Sequence, residues 1–245
     1  MAIERIKYQV GGRTFIGALV YDDRAAGTRP LMLMAPNWLG VTEDAINRTQ
    51  MMVRDRYIGF VADMYGDGRV SLGPPDAAAL ADELRAAPHE RRSRMSAALA
   101  TLVTESERHG IGDSSRKAVV GFCFGGGNAL ELARAGADVQ ATVCLHGDLM
   151  STAPADRVGQ IKSALFVLHG SADPVADKSQ RDAFEIEMDA VKARWQMLTF
   201  GGLLHSFCES EANVPGIAEY NAPAARQSYR LLDQFITGAF EGELS

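Results

Sequence analysis

Two rhythms of apolar residues run along this chain. In the first, short apolar blocks stand apart: Leu31 to Met34, Gly59 to Met64, Ala118 to Phe122, Ala141 to Leu145, Ala164 to Leu168 and Gln196 to Phe200. Blocks of this length suit strands covered on both faces. In the second rhythm, apolar residues recur at helical spacing. Thr42 can cap a helix carrying Ile46, Met52 and Val53, and Ala77 to Leu84 and Met95 to Val103 form Ala/Leu-rich segments split by Pro88. Ala183, Phe184, Met188 and Val191 repeat with the helical period, as do Ala225, Tyr229, Leu232 and Ile236. Ahead of all this, Ile6 to Val10 and Thr14 to Tyr21 flank Gly11 and Gly12 and predict a β-hairpin. Strand alternating with helix predicts an α/β fold, a mostly parallel sheet with helices on both faces, and reactive groups on loops beyond the carboxyl ends of its strands.

That rule directs attention to "KAVVGFCFGGGNAL", Lys117 to Leu130. Val119 to Phe122 is expected to be a strand and Gly125 onward a helix, with Ala129, Leu132 and Ala133 facing inward. Cys123 falls at the junction. A sharp strand-to-helix turn leaves no room for side chains two positions to either side, and Gly121 and Gly125 supply that room, giving G-x-C-x-G, the cysteine form of a nucleophile elbow. Unpaired N–H groups and the helix dipole favour thiolate there. The N–H of Phe124 is one expected oxyanion donor. The other is expected from the loop after the first central strand, with the Trp38 N–H first and the Leu39 N–H second. A cysteine in a glycine-rich turn can also be plain core filling, the reading given to Cys144; Cys208 has no assigned role.

A thiol nucleophile needs a base, and the base needs an orienting acid. In such folds the chain order is nucleophile, acid, histidine. "LFVLHGSADPVAD" places Asp173 after one strand, and "LTFGGLLHSF" places His205 after the next. Asp177 reads as the start of a helix. His146 and His169 close strands and are expected to make buried structural hydrogen bonds, while His89 and His109 lie in polar surroundings and are expected to be solvated.

Composition narrows the setting. The 245 residues are 47% hydrophobic, with no linker, charge block or repeat, and are read as a single domain spanning 1–245. A net charge of −6 gives no electrostatic footprint for nucleic acid. No segment approaches the roughly 18 apolar residues of a membrane span. The charged N-terminus does not read as a signal peptide, and three cysteines make no disulfide framework. A cytoplasmic setting with free thiols is expected; oligomeric state is not legible.

"GFCFGG", "HGSADPV", "LLHSF" and "ADMYGDG" together make the chain resemble the dienelactone hydrolase (carboxymethylenebutenolidase-like) family of the α/β-hydrolase superfamily, from about Leu31 to Phe235. The resemblance implies a Cys123–Asp173–His205 triad, an acyl-cysteine intermediate, a small-molecule ester or lactone substrate, and no metal or organic cofactor. Two positions depart from the family pattern. Where relatives carry a glutamate after the first central strand this chain has Asn37, and where dienelactone-cleaving relatives carry an arginine four residues after the histidine it has Glu209. In those relatives the two residues pair, and the arginine holds a substrate carboxylate. Both halves of that device are therefore expected to be missing here, and an inward Glu209 would repel a carboxylate, so a less anionic substrate is expected. Arg85 is the candidate for a second substrate contact. Arg69 and the group Arg91, Arg92 and Arg94 are weaker anion-binding candidates, the group being expected to mark a solvated helix start. Two other readings stay open: an acyltransferase using the same acyl-enzyme, and a non-catalytic binding or redox-sensing protein on a hydrolase scaffold.

Overall fold

The structure is a computed structural model that describes residues 1–244. It opens with β1 (Ala2–Val10) and β2 (Arg13–Tyr21), antiparallel about Gly11 and Gly12. There follow β3 (Arg29–Ala35), α1 (Glu43–Val53), β4 (Ile58–Val61), α2 (Pro74–Arg85), α3 (Pro88–Arg108), β5 (Gly112–Phe122), α4 (Phe124–Arg134), β6 (Ala141–Leu145), β7 (Ala164–Gly170), α5 (Lys178–Ala190), β8 (Trp195–Phe200), the short pair β9 (Asn213–Val214) and β10 (Ala218–Glu219), and α6 (Ala222–Glu241). One sheet carries the order β1-β2-β4-β3-β5-β6-β7-β8, parallel from β4 onward and antiparallel at the hairpin edge.

Period-two alternation sorts the strand residues between two faces. Met32, Met34, Val120, Phe122, Val143 and Leu145 pack with Ile46 and Val53 of α1 and Leu232, Phe235 and Ile236 of α6. Leu31, Leu33 and Val119 face the other way, onto Leu84 of α2, Met95, Ala98 and Leu102 of α3 and Leu132 of α4. On that face Leu165 and Val167 meet Phe184 and Met188 of α5.

The helices begin where local chemistry satisfies their first N–H groups. The side chains of Thr42, Asp177 and Asn221 accept from Ala45, Gln180 and Ala224, each at 3.1 Å. Pro74 and Pro88 open α2 and α3, where a missing N–H leaves no bond unmade. Asp177 thus caps a helix, as its position suggests.

Three expectations are corrected. β4 stops at Val61, short of Met64, because the Asp63 carboxylate accepts four backbone N–H groups, from Tyr65, Gly66, Gly68 and Ile16 at 2.8–2.9 Å. The "ADMYGDG" segment is therefore a turn wound on a carboxylate. β5 begins earlier than expected, at Gly112, because Asp113 folds residues 114–116 into a bulge: its carboxylate accepts the Ser115 N–H and the Arg116 guanidinium. Finally, Arg91 and Arg94 are buried rather than solvated. Arg91 Nε donates to Asn128 at 2.6 Å and Arg94 to the Met64 carbonyl at 2.7 Å, while Arg92, between them, reaches Glu131 at 2.8 Å.

Candidate active site

Parallel strands deliver the loops after β3, β5, β6, β7 and β8 to one edge of the sheet. Cys123 occupies the turn between β5 and α4 with φ 54° and ψ −125°, a backbone state that side-chain-bearing residues seldom adopt. It is pinned there by its N–H, which bonds the Leu145 carbonyl at 3.0 Å, and by its carbonyl, which accepts the Gly126 N–H at 2.8 Å. The flanking glycines have a direct steric reason. A Cβ on Gly121 would lie 2.0 Å from the Gly125 oxygen, and one on Gly125 would lie 2.1 Å from the Ala35 oxygen.

His205 Nε2 lies 3.0 Å from Cys123 Sγ, and His205 Nδ1 lies 2.8 Å from Asp173 Oδ2. Three loops thus bring sulfur, imidazole and carboxylate into one line, all three buried. The other Asp173 oxygen accepts the N–H groups of Val175 and Ala176 at 2.8 and 3.1 Å, which aims the carboxylate. Burial alone would raise Asp173, but the His205 hydrogen bond and these two N–H groups hold it below the ordinary carboxylate value. Burial likewise opposes a charged His205. Attraction to the Cys123 sulfur and the Asp173 bond overcome that and push it up to about 11. Its backbone is tied to the small β9–β10 sheet by Ile217 and Glu219, at 3.1 Å each.

The other histidines divide as follows. His146 is fully buried, with φ 39°, and its Nδ1 accepts from the Cys123 N–H at 3.3 Å. Burial, then repulsion from His205 and Arg48, holds it well below the ordinary histidine value, so it stays a neutral acceptor behind Cys123. His169 is buried, and burial lowers it too; among the described residues its ring nitrogens have no hydrogen-bond partner, contrary to the structural bonding expected of it. His89 is exposed, and the His109 ring lies tilted against Tyr21, 5.4 Å between centroids. Cys144 and Cys208 are buried thiols pushed up to about 12 by burial.

Phe124 is the first residue of α4, so its N–H has no carbonyl a turn earlier to bond. Among the described residues neither that N–H nor the N–H of Trp38 has an intramolecular acceptor. The Leu39 N–H, the second candidate, is engaged by Asn37 Oδ1 at 3.0 Å and is not available as an oxyanion donor. Tyr65 stacks on Phe124 at 6.1 Å and donates its hydroxyl to the Trp38 carbonyl at 2.8 Å, joining the two donor-bearing segments.

Asn37 and Glu209, at the two departing positions, face each other. They are bonded to each other, Asn37 Nδ2 donating to Glu209 Oε2 at 2.6 Å. A cation on α1 stands beside them: Arg48 lies 3.9 Å from Glu209 and 2.5 Å from Glu211, with its guanidinium 5.0 Å over the Phe122 ring. Both Asn37 and Glu209 are buried, and burial raises Glu209 against the pull of Arg48 and Asn37. Arg85 is engaged as well: Nε and Nη2 grip Asp148 at 2.8 and 3.1 Å and Nη1 holds Asp82 at 2.8 Å. With Arg91 it approaches the Phe124 ring, at 5.6 and 5.3 Å. Arg69, the other anion-binding candidate, pairs with Asp76 at 2.7 Å. A cavity of about 410 Å³ runs beside this cluster, lined by Arg85, Arg91, Asp148, Met150, Val175 and Gln180 among others. Among the described residues no three metal-ligating side chains converge, and no helix is long and apolar enough to cross a membrane.

A largely parallel sheet, a strained strand-to-helix turn and a buried line from that turn to a histidine and an acid define an α/β-hydrolase fold. Comparison with known proteins agrees and goes further. The dienelactone hydrolase family model matches residues 16–240, and the chain belongs to that family: it is a hydrolase acting on ester bonds, with a small-molecule ester as substrate. A dienelactone hydrolase-like promiscuous phosphotriesterase, P91, from metagenomic libraries is 30% identical with a TM-score of 0.89, over 97% of this chain and 98% of that one. The structure named m3DLH is 31% identical with a TM-score of 0.90, over 98% of each chain. The acylaminoacyl peptidase of Pyrococcus horikoshii, at 10% identity and a TM-score of 0.70, shares the fold across 96% of this chain and 41% of its own. No curated protein is significantly similar to the sequence.

Proposed function

We propose that this chain hydrolyses small carboxylic esters or lactones through a thioester on Cys123, with His205 as proton carrier and Asp173 as its orienting acid. One observation carries the reading: the unbroken line of contacts Asp173–His205–Cys123, at 2.8 and 3.0 Å, at a strained turn. The thiolate adds to the substrate carbonyl carbon, forming the S–C bond. The charge that develops on oxygen is met by the N–H groups of Phe124 and Trp38. Collapse breaks the C–O bond to the leaving alkoxide, which takes the proton from His205 Nε2. Water then gives a proton to His205, attacks the thioester and releases the acid, returning sulfur as thiolate. Neutral substrates are favoured, because Asp148 and Asp82 already hold Arg85 and a carboxylate stands at position 209.

The test uses p-nitrophenyl acetate with wild type, Cys123→Ala and Cys123→Ser. Wild type is expected to release a burst of nitrophenol and carry an acetyl group on the peptide containing Cys123. Cys123→Ala is expected to lose about 10³-fold or more in kcat. Undiminished turnover in Cys123→Ala would overturn the assignment. Adding a thiol or amine acceptor separates hydrolysis from acyl transfer, through acylated acceptor as product. A second reading, phosphotriester cleavage by the same thiolate, is supported by the likeness to P91 across nearly the whole chain. A dialkyl aryl phosphate in the same assay tests it, release of the aryl alcohol that depends on Cys123 being the expected result.

A further inference from the structure

In the loop after β3 the Trp38 N–H has no acceptor among the described residues. Asn37 Oδ1 accepts from Leu39, the Asn37 carbonyl accepts from Gly40 at 3.2 Å, and the Trp38 carbonyl accepts from Tyr65. The Leu39 carbonyl accepts from Ser71 at 3.0 Å and that of Gly40 from Thr42 at 2.8 Å. Of the N–H groups of Trp38, Leu39 and Gly40, only that of Trp38 is left open among the described residues. This arrangement depends on which way round the Asn37 amide sits. A flipped amide would turn Nδ2, a donor, toward the Leu39 N–H, also a donor, and the turn would open.

What fixes the amide is Glu209. A carboxylate can only accept, so it holds Nδ2 and leaves Oδ1 for Leu39. Glu209 lies in a turn closed by its N–H to the Ser206 carbonyl at 2.9 Å and by the Ala212 N–H to its own carbonyl at 3.0 Å. That turn follows His205 directly in the chain. Arg48, itself nearly buried, supplies the opposing charge from α1. One buried carboxylate therefore couples the loop that carries the histidine to the loop that carries the open N–H.

We propose that Glu209 is a positioning residue for the oxyanion site: it orients the Asn37 amide, which ties up the Leu39 N–H and leaves the Trp38 N–H to meet the reacting carbonyl oxygen beside that of Phe124. The role rests on the thioester mechanism above. Glu209 touches neither substrate nor sulfur in this scheme, so its loss acts on the acylation transition state and not on thiolate formation.

Three readouts on Glu209→Ala, Glu209→Gln and Asn37→Leu separate these effects. They are the burst rate with p-nitrophenyl acetate, the affinity for a trifluoromethyl ketone that traps sulfur as a charged adduct, and the rate of iodoacetamide alkylation, which needs no oxyanion donor. Glu209→Ala and Asn37→Leu are expected to slow acylation and weaken the ketone in parallel, by about 10- to 100-fold, as for a misplaced oxyanion donor. Alkylation is expected to stay within about twofold, since thiolate character is untouched. Glu209→Gln keeps an acceptor oxygen for Asn37 Nδ2 and is expected to restore acylation to within about fivefold of wild type. The proposal is overturned if both truncations leave acylation and ketone affinity unchanged, or if alkylation falls along with them. Should Glu209→Ala fail to fold, Asn37→Leu with native circular dichroism and a wild-type burst rate overturns it just as well. A wild-type protein with no Cys123-dependent burst would instead sink the thioester mechanism, and this role with it.

Discussion

At the scale of single residues, Asp173 decides what His205 can do. Its Oδ2 accepts from Nδ1 at 2.8 Å, which leaves Nε2 to face sulfur at 3.0 Å. Asp173→Asn keeps the shape and can keep one acceptor toward Val175 and Ala176, but it turns a donor toward Nδ1. The ring then carries its proton on Nε2, the wrong tautomer to accept one there, and loses the neighbour that favours imidazolium. Turnover of p-nitrophenyl acetate is expected to fall roughly 10⁴-fold with KM little changed, by analogy with the effect of this exchange in other triads. Alkylation of Cys123 by iodoacetamide at neutral pH should slow in the same variant. Unchanged kcat would mean that Asp173 is a structural partner only.

At the scale of elements, the elbow is held together by clearance. Gly125→Ala would drive a methyl to 2.1 Å from the Ala35 carbonyl and 2.4 Å from that of Pro36, both backbone atoms with no room to yield. Overpacking of this kind is expected to destabilise the protein by about 3 kcal/mol, read from urea unfolding, and to displace β3 from β5. Gly201→Ala, where a Cβ meets nothing within 4 Å, is the control and should change stability by no more than about 0.5 kcal/mol. These elements are also where the sequence was most readable. Apolar blocks gave six strands because both faces of the sheet are covered, and the glycines two positions either side of Cys123 marked the turn because sterics admit little else. The line through Asp173 and His205 was legible from chain order alone. What escaped reading depends on partners remote in sequence. Arg91 looks like a solvated helix start until Asn128 and Phe124 arrive from α4, and Asp63 looks like a strand residue until four N–H groups wind around it. The Asn37–Glu209 bond joins positions far apart in the chain, and nothing local announces that a carboxylate at 209 will face Asn37 with Arg48 of α1 beside it.

For the molecule as a whole, the site is stored electrostatic energy whose sign can be read from the pH dependence of folding. His205 is raised from 6.5 to about 11 in the fold, with Cys123, Asp173 and, edge-on at 5.5 Å, the neutral His146 around it. A raised value means that folding favours the proton. The stabilisation is therefore complete below about pH 6.5 and is lost as pH climbs through about 11. Asp173 is lowered from 3.8, so its share is complete above that value and disappears in acid. His146, held well below 6.5, adds an acid penalty of its own, because unfolding lets it charge. Comparing wild type with His205→Ala largely cancels the His146 contribution, which both proteins carry. The difference in Tm between them is expected to be greatest between about pH 5 and 6.5 and to narrow steadily toward pH 10, followed by scanning calorimetry in buffers of equal ionic strength. A gap that widens with rising pH would show that the native fold prefers a neutral imidazole at position 205. Sulfur would then have to attack from the thiol, with proton removal during the chemical step, and the resting ion pair would drop out of the mechanism.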